Sequence, residues 1–201
     1  MRRERAVADA STLPTVVFGF RNLATWGTTG FLIIENFTLA LTAVTYLYLR
    51  KNTSVWPPHG TSLPNLLIPS INMGLMLASI PLALWTMHRA ERLDLTGTRL
   101  GLVLSSIVAV IVTSLRFVEF RSLNTNWNTN AYGSIVWTIL GLHGTLLLID
   151  VYDTIGVTAI MFLRPSSKWF PEVADNANYW VFSVLAWLPL YILVYFGPRF
   201  L

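Results

Sequence analysis

The chain has 201 residues, of which 54% are hydrophobic and only 12% charged, with a net charge of +4 and a mean hydropathy of +0.56. That balance is too apolar for a soluble domain of this length, and the absence of cysteine excludes disulfides, thiolate metal sites and thiol nucleophiles. The basic residues fall between apolar runs and so do not form a nucleic-acid-binding stripe.

The N-terminal segment MRRERAVADASTLP lacks the apolar core of a cleavable signal peptide. Residues 1–22 read as a basic arm held on the cytoplasmic side. Five apolar runs follow, at about 23–49, 65–87, 99–121, 133–163 and 178–198. Each meets the requirement of about 20 residues for a membrane helix. The expected architecture is therefore all-α: an integral membrane bundle of five transmembrane helices within residues 23–201. Lysine and arginine counts orient it. With the N-terminus inside, the inner side carries Arg2, Arg3, Arg5, Arg21, Arg89, Arg92, Arg99, Arg164 and Lys168, and the outer side only Arg50, Lys51, Arg121 and Arg199. The expectation is N-terminus in and C-terminus out.

Span one carries Glu35, 12 residues after Leu23, roughly 18 Å along a helix and so near the middle of a hydrocarbon core about 30 Å thick. Such a carboxyl is either a protonated acid bonded to a neighbouring helix or a functional group on a proton path or subunit interface. The outer loop RKNTSVWPPHGTSLPN cannot continue a helix through Pro57 and Pro58, and Trp56 suits the membrane interface. His59 in that loop is expected to be solvated. Span two contains Pro81, an expected kink, and the small residues Gly74, Ala78 and Ser79, which permit close helix contact. His88 follows as an interfacial residue.

Span three ends in SLRFVEFRSL. Arg116 and Glu119 stand three apart and share a face, either as a snorkelling pair or as an inter-helix contact. In span four, YGSIVWTILGLHGTLLLID, His143 precedes Asp150 by seven residues, close to two turns, so both lie on one face. His143 is about 15 Å from the outer end and Glu35 about 21 Å from the same side. The depths differ by about one turn, which puts a Glu35–His143 hydrogen bond within reach if spans one and four touch. Asp150 and Asp153 lie deeper, toward the inner face. The run of about 31 residues must tilt or protrude. The segment RPSSKWFPEVADNAN reads as a loop along the inner surface, and the last span, YWVFSVLAWLPLYILVYFG, is aromatic and bends at Pro189.

Taken in order, these pieces resemble subunit III of the haem–copper oxidases, the cytochrome c oxidase subunit III family, over about residues 22–201. Glu35 followed by YLYLR and the Trp56-Pro57-Pro58 loop is similar to the family pattern. So is LPNLLIPSINMGLMLAS, where Asn72 matches the family's asparagine, and SLRFVEF, where Glu119 matches its acid. Tyr132, Gly133, Ser134, Gly141, His143 and Gly144 match its Tyr-Gly-Ser … Gly-x-His-Gly stretch, and NYWVFSVLAW resembles its last helix. The five-span length fits the shorter bacterial form. Five positions depart from the pattern. Arg116 stands for the family's glutamine, Leu146 for its second histidine, and Val181 and Val184 for the histidine and aspartate of its last helix. Asp150 replaces a small residue.

The resemblance implies a non-catalytic accessory subunit in a bacterial inner membrane. It would bind oxidase subunits I and II, hold structural phospholipid, and support proton uptake and durability of the complex, with a respiratory supercomplex as a further setting that the resemblance allows. Haem and copper are expected in the partner subunits, with no cofactor on this chain. The expected polar network comprises Glu35, Arg116, Glu119, His143 and Asp150. An accessory subunit of a nitric oxide reductase shares the same features. A small channel or transporter using Glu35, Arg116, His143 and Asp150 as a polar pathway is the alternative from another class.

Overall fold

The computed structural model describes residue 14 and residues 16–200. The arm's arginines Arg2, Arg3 and Arg5 lie outside the described residues. Five long helices account for most of the rest: α1 Leu23–Lys51, α2 Leu67–Glu91, α3 Leu95–Ser122, α4 Ala131–Leu163 and α5 Phe170–Tyr191. A single 3-10 turn, Ser167–Trp169, leads into α5. A widened turn, Ile192–Phe196, and a last helical turn, Gly197–Phe200, extend it. No strand occurs among the described residues. All five elements are long and apolar enough to cross a membrane, which makes this a multi-pass membrane protein.

Local chemistry explains where the helices start. The side chains of Asn22, Asp94 and Asn130 accept hydrogen bonds from the backbone N–H groups of Ala24, Gly97 and Gly133, so each satisfies a donor that the first turn leaves free. Proline sets other limits. Pro171 opens α5, where a missing N–H costs nothing. The widened turn at 192–196 follows Pro189, since proline withdraws one donor from the ladder. Residues 170–177 are helical rather than the surface loop expected from their polarity. This is the main difference from the sequence reading, and it matters for the site.

The helices are not equivalent. α2 packs chiefly on α3 and α5, and α3 also packs on α4, while α1 leans on α4 and α5. The buried residues of α1 are Glu35, Leu39, Thr42 and Tyr46, spaced four, three and four. That is one narrow stripe. The remaining faces of α1 expose Ile33, Ile34, Phe37, Leu41 and Val44. Gly74 and Ala78 of α2 are also exposed and do not mediate the close contact expected of them; only Ser79 does. The close approach between α2 and α3 occurs at Gly101, where a Cβ would clash with the side chain of Thr86.

Candidate functional site

Sixteen polar or charged residues are buried among the described ones, and the chemically distinctive ones gather into two groups. The first joins α2, α3, α4 and the last span. Arg116 Nη1 donates to Glu119 Oε2 at 2.6 Å, with both side chains about 1% exposed. Asn72 Nδ2 donates to Glu119 Oε1 at 2.5 Å and the Tyr195 hydroxyl donates to Glu119 Oε2 at 3.1 Å. Glu119 therefore accepts from three different helical elements. The pair itself lies within α3, buried rather than snorkelling, and it is Glu119 that reaches across to α2 and the last span. The guanidinium also lies over the Trp187 ring, 3.8 Å from its centroid, a cation–π contact. Trp187 also meets His143, with ring centroids 4.6 Å apart.

His143 is fully buried, and its Nε2 stands 3.1 Å from the Ser183 carbonyl oxygen. A carbonyl can only accept, so Nε2 carries the hydrogen. Gly144, next in the motif, faces the Arg116 side chain. His143 thus has a packing role, tying α4 to α5.

The second group joins α1, α4 and α5. Tyr179 donates its hydroxyl hydrogen to Glu35 Oε1 at 2.7 Å. The hydrogen bond between Glu35 and His143 does not form: tyrosine takes the carboxyl and a backbone carbonyl takes the imidazole. Asn176 Nδ2 is shared among Asp153 Oδ2 at 2.9 Å, Thr154 Oγ1 at 3.0 Å and Asp150 Oδ1 at 3.4 Å. The Thr25 hydroxyl lies 2.9 and 3.0 Å from the two carboxylate oxygens of Asp175. The two groups approach each other at Ser183, one turn beyond Tyr179. The expected network thus divides, with Arg116, Glu119 and His143 in one group and Glu35 and Asp150 in the other.

Tyr179, Asn176, Asp175, Glu172, Tyr195 and Trp187 complete these groups and were not among the expected site residues. The signal was present in the sequence: Glu172, Asp175, Asn176 and Tyr179 stand at i, i+3, i+4 and i+7, the spacing of one helical face. Val184 is buried, and Leu146 and Val181 pack against the core.

The loop motif is structural. Trp56 Nε1 donates to the Tyr46 hydroxyl at 2.9 Å, and the Trp56 ring meets Tyr46 and Tyr132 edge-on at 5.2 and 5.1 Å. Pro57 and Pro58 are half-buried beside it. His59 and His88 are exposed, and His88 Nδ1 lies 3.8 Å from Glu91 Oε2. Among the described residues no three His, Cys, Asp or Glu side chains converge as a metal site. With three histidines on separate elements and no thiol, the donor set does not fit haem or copper.

The profile of the family described as "Cytochrome c oxidase subunit III" matches residues 25–198. "Cytochrome c oxidase subunit 3" of Synechocystis sp. is 24% identical over 88% of this chain and 77% of its own length. That of Aedes aegypti is 28% identical over 96% of this chain and 74% of its own, and that of Polypterus ornatipinnis 28% identical over 70% and 55%. The chain therefore spans about half to three quarters of the length of these relatives. With the match running through every one of the five helices, the chain belongs to the cytochrome c oxidase subunit III family.

Proposed function

We propose that this chain is a non-catalytic accessory subunit of a respiratory haem–copper terminal oxidase in a bacterial inner membrane. It sits beside subunits I and II, which carry the haem and copper. The observation that carries this reading is the family match over residues 25–198. Two features support it. The chain's own donors do not fit a redox centre, so any electron transfer belongs to other subunits. The broad apolar face of α1 suits a neighbouring membrane subunit or lipid.

Within that complex the chain binds subunit I and phospholipid and supports proton uptake and durability. Glu35 supplies a proton-holding group at mid-span, and Asp150, Asp153, Glu172 and Asp175 supply others toward the inner end, with the N-terminus on the cytoplasmic side. The Arg116–Glu119–Asn72–Tyr195 group is bonded internally and serves packing.

The test is purification of the chain from its native membrane in mild detergent, with a reduced-minus-oxidised visible spectrum and mass spectrometry of everything that accompanies it. Haem bands and a large multi-span oxidase partner are the expected result. A colourless, partner-free preparation would overturn the reading. A nitric oxide reductase partner would move the chain to that enzyme.

A further inference from the structure

A cavity of about 370 Å³ opens between α1, α4 and α5, lined by Gly27, Phe31, Asp150, Asp153, Glu172 and Asp175, together with Asn176 and Tyr179. Its α1 and α5 walls lie within the first three turns of those helices, at one end of the bundle, where a membrane's headgroups begin. Four carboxyl groups share this wall, and among the described residues none of the four forms an ion pair. Acidity alone would not make a site, because carboxyls can keep their own protons. Asp150 adds a separate observation. It is fully buried, its Oδ2 has no hydrogen-bond partner, and its Oδ1 has only the shared Asn176 amide at 3.4 Å. A buried acceptor left unmatched is costly, and a ligand that donates hydrogen bonds removes that cost.

We infer that this cavity binds a primary ammonium group, held by Asp150 and Asp153 against the Phe31 and Tyr179 rings. The chemistry selects that ligand class. The carboxyls do not converge tightly enough for a metal ion, and the cavity is in the size range of an organic ligand rather than a bare cation. The walls supply both acceptors and two stacked rings, Phe31 and Tyr179, 6.3 Å apart at an interplanar angle of 18°. Carboxylates and aromatic faces together are the complement of an alkylammonium. The ammonium can come from an aminophospholipid headgroup or from a free amine. The inference is independent of the oxidase assignment, since it rests on Asp150 and the cavity alone.

The experiment uses the full chain, in whatever complex it purifies with, reconstituted into phosphatidylglycerol nanodiscs. In one arm phosphatidylethanolamine is added and lipid retention is read by native mass spectrometry. In the other, ethanolamine is titrated and amide exchange of segments 149–153 and 172–179 is followed. Binding predicts preferential retention of phosphatidylethanolamine, or slowed exchange with ethanolamine, and a weakening of about tenfold in Asp150→Asn, the scale of one lost charge-assisted bond. Retention without an ethanolamine effect identifies the lipid source, and an ethanolamine effect without retention identifies the free amine. Asp153→Asn, at an exposed rim position, repeats the test should Asp150→Asn fail to fold. Equal behaviour of wild type and folded variants, or no response in either arm, overturns the inference and leaves the carboxyls holding only protons.

Discussion

Tyr179 donates its hydroxyl to Glu35 Oε1 across 2.7 Å, and this bond ties the polar stripe of α1 to α5. It gives a buried mid-span carboxyl one defined partner on the helix that also carries Asp175 and Asn176. Glu35→Gln retains a carbonyl acceptor for the phenol, so assembly should survive. The loss of a proton-holding group should instead alter turnover, proton uptake or working lifetime of the complex. Tyr179→Phe leaves the carboxyl without its donor, and a cost of about 1–3 kcal/mol is expected in thermal unfolding. Wild-type turnover, proton stoichiometry and lifetime in Glu35→Gln would remove the functional role of that carboxyl.

The fold was legible because hydropathy and membrane thickness leave few options for five apolar runs. Helical spacing also put Arg116 with Glu119 and His143 with Asp150 on shared faces. What could not be read was which face met which helix. Depth alone left Glu35 and His143 as candidate partners, while the structure gives each a different partner on α5. Polarity at a span's edge predicts a loop over 164–178, whereas residues from 170 onward are helical. The spacing of Glu172, Asp175, Asn176 and Tyr179 carries the contrary signal, and it delivers those four side chains to the acidic cavity.

The Arg116–Glu119 pair predicts an asymmetry. Each group is about 1% exposed, so removing one partner strands the other as an uncompensated charge. Arg116→Met or Glu119→Leu alone should cost about 3–5 kcal/mol in unfolding experiments. The double variant Arg116→Met with Glu119→Leu should recover much of that loss, because no unpaired charge remains. A double-mutant cycle measures it. Strict additivity of the two single losses would contradict the coupling that the 2.6 Å contact implies.

A third prediction concerns pH at the α2–α3 turn. The Gly97 backbone N–H, and then Arg89, hold the Asp94 carboxyl below its ordinary range. Because the folded value lies below the unfolded one, the contribution is complete above the unfolded value of about 3.9 and disappears as pH falls through the folded value. Asp94→Asn keeps the capping oxygen but loses the charge. The stability gap between wild type and Asp94→Asn should therefore be full at pH 6 and shrink toward pH 3. Thermal melts across that range measure it, and a gap that stays constant with pH would refute the assignment.

The close contact between α2 and α3 gives the last prediction. Gly101 lies directly against the Thr86 side chain, and a Cβ there would overlap both the hydroxyl and the methyl. Thr86 is a β-branched residue bonded to the Leu82 carbonyl at 2.8 Å, so it cannot rotate freely out of the way. Gly101→Ala should force the helices apart and cost about 1–3 kcal/mol, as overpacking does. Thr86→Ala removes two of the three overlapping atoms. Combined with Gly101→Ala, it should restore part of the loss, which sequence hydropathy alone would not anticipate. Equal melting temperatures for Gly101→Ala and wild type would show that α2 and α3 are held together elsewhere, through Asn72 and Glu119.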